Sequence, residues 1–97
     1  MSTYVFLASL TDQGSRQVEE TTKRAKTTDE IIRRHGGTTR DILWTQGRFD
    51  VVMTADAPDD EAASAISLEI GRQGFLRIET LRAYDAAEVD GILGRLG

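Results

Sequence analysis

The chain opens on an uncharged apolar run, Thr3-Tyr-Val-Phe-Leu-Ala-Ser-Leu10. At a period of two, Tyr4, Phe6, Ala8 and Leu10 fall on one side of this run, and Val5 and Leu7 on the other. Apolar residues on both faces predict a strand in the interior of a sheet. Thr11-Asp12-Gln13-Gly14 reads as a turn, with Gly14 supplying a positive φ at low cost. From about Ser15 to His35 the period lengthens: Val18, Ala25 and Ile32 recur every seven positions, and Thr28 and Ile31 widen the stripe. That pattern predicts a helix, with an irregular join near Thr21-Thr22 because threonine is a mediocre helix former. Arg33, Arg34 and His35 suit the negative end of the helix dipole, and Gly36-Gly37 stops the run.

Thr38 to Gln46 and Phe49 to Ala57 read as two strands split by a short turn at Gly47-Arg48, an antiparallel hairpin. Pro58-Asp59-Asp60-Glu61 sets carboxylates over the start of a second helix, on which Ala62, Ile66 and Ile70 share a face; Gly71 or Gly74 ends it. Phe75 to Tyr84 alternates again, with Leu76, Ile78 and Thr80 opposite Arg77, Glu79 and Leu81. Asp85 followed by Glu88 has the spacing of a capping box, and Val89, Ile92, Leu93 and Leu96 line one side of a last helix. Gly91 and Gly94 cost that helix roughly 1 kcal/mol each relative to alanine, so it is expected to form only when docked. The order β-α-β-β-α-β plus a terminal helix makes residues 1–97 a single α+β domain. Its simplest form is a ferredoxin-like plait, a four-stranded antiparallel sheet in the order 4-1-3-2 with two helices on one face.

Two helices cover one face only, yet Ile42 and Trp44 oppose Leu43, and Val51 and Met53 oppose Val52. An uncovered apolar face is an association surface. A second copy stacking its sheet on the first, giving a dimeric α+β barrel or a higher oligomer, is the expected partner. Trp44 is expected on that face, so that Trp44→Glu separates the subunits without unfolding them. A small apolar or carboxylate ligand fits between such layers.

The 97 residues carry 12 basic and 16 acidic side chains, a net charge of −4, and 39% are hydrophobic, the balance of a soluble globular protein. Glu19, Glu20, Asp29 and Glu30 interrupt the basic groups of the first half, and no aromatics accompany them, which argues against nucleic acid. No apolar run approaches the roughly 20 residues of a membrane span, and Met1 to Leu10 reads as folded structure rather than a leader, so a cytoplasmic location is expected. With no cysteine and one histidine, thiol chemistry and any site needing two imidazoles from one chain are excluded; no metal or cofactor is expected. Asp59-Asp60-Glu61 is accounted for by helix capping rather than Mg²⁺. There is no phosphate loop and no nucleophile elbow.

Trp44-Thr-Gln-Gly-Arg-Phe-Asp-Val-Val52, followed by Ala57-Pro-Asp-Asp-Glu61, resembles the GYD domain family of small bacterial proteins. The resemblance extends to Tyr4, Leu7, Thr11-Asp-Gln-Gly14, Lys23-Arg24, Gly36-Gly37 and Glu79-Thr-Leu-Arg-Ala83, nearly the whole chain in order. Gly47 and Asp50 match the glycine and aspartate that name the family, and Phe49 stands in the tyrosine position without its hydroxyl. The resemblance implies a ferredoxin-like fold and oligomerisation, and no settled activity.

The candidate ligand-binding residues are Trp44, Phe49, Asp50, Arg77 and Glu79. Trp44 and Phe49 would wall a cleft and Asp50 anchor a ligand; alternatively Asp50 holds turn amides and Trp44 fills an interface. Arg77 and Glu79 project together, to hold a carboxylate or to form a salt bridge between subunits. His35, before Gly36-Gly37, fits a helix C-terminus better than a haem ligand. The expected function is a homo-oligomeric small-molecule-binding or accessory protein. The alternative is a small cofactor-independent oxygenase, isomerase or decarboxylase, which requires an enclosed pocket near Trp44 containing Glu79 or Asp50 with a perturbed pKa.

Overall fold

In the computed structural model, which describes residues 1–97, the uncharged opening run becomes β1 (Ser2–Leu10). It lies inside a four-stranded antiparallel sheet with β2 (Thr38–Trp44), β3 (Val51–Ala57) and β4 (Leu76–Ala83), in the order β2-β3-β1-β4. This is the predicted order, and its reason is visible in β1: Tyr4, Phe6 and Ala8 are buried, while Val5 and Leu7 line the opposite face. β3 alternates in the same way, with Val51, Met53, Ala55 and Ala57 buried.

The helix predicted for the first crossover is broken into three pieces, α1 (Asp12–Arg16), a 3-10 turn (Val18–Glu20) and α2 (Thr21–Arg34). Thr11, read as part of a turn, is an N-cap whose hydroxyl accepts from the Gly14 N–H and donates to the Gly74 carbonyl at 2.5 Å. Gly14 is helical, not at positive φ; a Cβ there would meet the Phe75 carbonyl oxygen at 2.2 Å, so close backbone approach is what calls for glycine. The break precedes Thr21 and carries Val18 away from the core, where it is exposed. Ile31 and Ile32 of α2 pack with Ala63, Ile66 and Ile70 of α3 (Asp60–Arg72) on the face of Tyr4, Phe6 and Met53. Asp59 caps α3 through the Ala62 N–H at 2.8 Å. Gly36 and Gly74, at φ +80° and +92°, terminate the crossover helices.

The hairpin is looser than expected. β2 ends at Trp44 and β3 begins at Val51, leaving a six-residue loop instead of a two-residue turn, and the pairing slips at Arg40. The capping box of Asp85 and Glu88 forms and starts α4 (Ala86–Leu93). Contrary to the expectation of docking, α4 buries none of its residues and stands off the body. The radius of gyration, 14.5 Å, therefore exceeds the about 12.5 Å of a compact chain of this length, and the molecule measures 52 × 30 × 18 Å. No helix is long and apolar enough to cross a membrane.

Candidate functional site

Residues paired across an antiparallel sheet share a face, so the register assigns each candidate. Trp44 pairs with Val51, which pairs with Ala8 and then Ile78, a row beneath the helices. Trp44 is thus on the covered side, at the sheet margin and 46% exposed, not on the open face where it was expected. The physical reason is that both sides of β2 are apolar, and nothing in its own alternation says which side the helices take. Arg77 and Glu79 lie on the open face, Glu79 in the row Leu43–Val52–Leu7–Glu79 and Arg77 beside Ser9. The five candidates are therefore not brought together.

Asp50 is committed to backbone. Its Oδ2 accepts from the Leu10 N–H at 2.8 Å, its own N–H donates to the Ala8 carbonyl at 2.8 Å, and its carbonyl accepts from the Thr45 N–H. Those bonds close the hairpin loop onto the end of β1, while Gly47 takes φ +98° at the loop's tip. Phe49 is half-buried, with the Arg48 guanidinium 5.6 Å from its ring centre.

A cleft opens where the start of α2 leaves the sheet, between Trp44 and Phe75, with Leu10, Ile42 and Met53 beneath. Counting its open mouth it spans about 330 Å³, but only about 20 Å³ is free for a water-sized body, room for roughly one water. Side chains close it. The Trp44 indole N–H donates to the Thr21 hydroxyl at 3.0 Å. The Arg24 guanidinium stacks 3.7 Å above the Phe75 ring and donates to the carbonyl and side-chain oxygens of Gln17 at 3.1 and 3.0 Å. Thr28, the only polar side chain the core buries, also faces the cleft. No carboxylate lines it, so neither Glu79 nor Asp50 is in the pocket that the enzyme alternative requires.

At the other end of the same face, buried Tyr4 donates to Asp60 Oδ1 at 2.5 Å. Burial, reinforced by the Asp60 carboxylate, raises the Tyr4 phenol above its ordinary pKa and keeps it a donor. Arg82 lies over the Tyr4 and Tyr84 rings and reaches Glu88 at 3.2 Å, tying the base of α4 to the sheet. His35 caps α2, and its Nε2 lies 2.8 Å from Glu69 Oε1, the carboxylate that Arg34 also holds. No group of three histidine, aspartate or glutamate side chains has the geometry to hold a metal ion.

Reasoning from the sequence missed Arg24, Thr21 and Phe75 as cleft residues. Arg24 lay inside a charge cluster that a solvated helix face explains, and Phe75 sits 51 positions away. The family model for the GYD domain matches residues 4–93 of this chain. The chain belongs to the GYD domain family. No curated protein matches it. In this GYD domain the namesake loop, Gly47 to Asp50, fastens the hairpin to β1, and the cleft lies on the other side of Trp44 and Val51 in the fold.

Proposed function

We propose that this GYD domain is a homo-oligomeric small-molecule-binding module, paired through its open sheet face and holding its ligand in the cleft beside Trp44. The open face carries the reading. Leu43, Val52 and Leu7 form one row across it, and Val5 and Leu81 lie in the next. Leu43 and Leu81 are 57% and 44% exposed, and no helix lies over any of the five. A second copy is the occupant that fits. Asp41 and Glu79 stand at the margin with Arg77, so the rim offers both signs of charge, which a self-complementary two-fold contact can pair. Four strands of about eight residues present roughly 500 Å² in projection. A standard interface takes about 800 Å² from each partner, and the exposed Val89, Ile92 and Leu93 of α4 are available to add to the face.

Leu7→Lys tests this reading against Leu68→Lys, a control on the outer side of α3 where Leu68 is 74% exposed. With circular dichroism unchanged, light scattering should give half the native mass for Leu7→Lys and the native mass for Leu68→Lys. A Leu7→Lys protein of native mass would overturn the proposed surface.

A further inference from the structure

Resting on the reading of the cleft as a small-molecule site, we propose that its occupant is a small amphipathic carboxylate, and that Arg24 is the residue that takes the charged end. In a chain with a net charge of −4, Arg24 is partly buried and has no carboxylate partner; the six ion pairs all belong to other residues. Its guanidinium is already oriented, 3.7 Å over the Phe75 ring with one N–H from each terminal nitrogen donated to Gln17. A guanidinium has five N–H donors, so three remain for a ligand. Gln17 offers only neutral acceptors, and a carboxylate would add to the guanidinium an opposite charge and a bidentate fork that Gln17 lacks.

The rest of the cleft restricts the ligand's body. Behind Arg24 the walls are Trp44, Phe75, Met53 and Leu10, and the one polar group at depth is the Thr28 hydroxyl. A ligand with one anionic end and an apolar or aromatic body satisfies every surface it meets. A polar body would be desolvated without partners. The closed volume of about 20 Å³ makes the cover part of the device. Arg24 and Trp44 are side chains at the solvent margin, each held by bonds to a neighbouring side chain or loop carbonyl, so the cover is made of side chains whose bonds a ligand would have to replace.

Trp44 is the only tryptophan, so its indole N–H gives a single side-chain resonance reporting directly on the cleft. Phenylacetate and phenylacetamide, alike in shape and different in charge, are the probes. Phenylacetate should shift that resonance saturably and at least tenfold more tightly than phenylacetamide. Arg24→Gln should reduce its affinity to the level of the amide, and Lys23→Gln, an exposed cation paired with Glu20, should change it less than twofold. Independently of any variant, added NaCl should weaken phenylacetate alone. Equal binding of the two probes, unaffected by Arg24→Gln, would overturn the carboxylate assignment and leave the cleft standing. An equal loss in Lys23→Gln would overturn Arg24 as the anchor. No response to either probe would overturn the cleft reading as well.

Discussion

Trp44 shows how one side chain can be chemically legible and spatially ambiguous. Its alternation with Leu43 is plain in the sequence, but both sides of β2 are apolar, and the slip at Arg40 breaks the parity that the preceding residues would have carried into it. Because Trp44 lies under the helix side at the margin, Trp44→Glu should behave differently from the sequence expectation. Its indole contacts and the bond to Thr21 are lost, at about 1–3 kcal/mol, while the carboxylate reaches water at the cleft mouth. Native mass with a lowered melting temperature is the expected outcome. A folded monomer would return Trp44 to the interface. Asp50 was legible only in part: a turn aspartate is expected to hold the amides of its own turn, whereas its carboxylate accepts from the distant Leu10 N–H at the end of β1.

Among the elements, the strands were read to within two residues at each end, because alternation is a local signal. The first crossover was read less well: an irregular join was expected near Thr21-Thr22, and the break falls just before it, at Gln17 to Glu20, where it answers to a distant constraint. Thr11 must cap α1 while its hydroxyl reaches the Gly74 carbonyl, and Gly14 must clear the Phe75 carbonyl, contacts that no window of sequence contains. The join between α2 and α3 carries a pH dependence. The hydrogen bond from His35 holds the Glu69 carboxyl below its usual pKa against the opposing effect of burial, with Arg34 adding to it. A carboxylate whose folded pKa is depressed contributes fully above the unfolded value, about 4.3, and its contribution is lost as pH falls through the folded value. Urea titrations from pH 7 to pH 3 should therefore find Glu69→Gln less stable than the native protein at neutral pH, with the gap closing in acid. A gap independent of pH would contradict the assignment.

At the scale of the molecule, a two-layer plait leaves half of a two-sided apolar sheet bare. The alternation of β1 and β3 carries this in the sequence, since Val5, Leu7 and Val52 oppose buried neighbours. What the sequence did not carry was the difference between the two faces: an apolar row left open on one, the cleft beneath Arg24 on the other. Sedimentation equilibrium of the unaltered chain across the micromolar range tests the central claim most directly. Pairing through the open face predicts a mass of about 21 kDa, twice the 10.7 kDa of the chain, or a larger even multiple. A constant 10.7 kDa up to the highest concentration would contradict it.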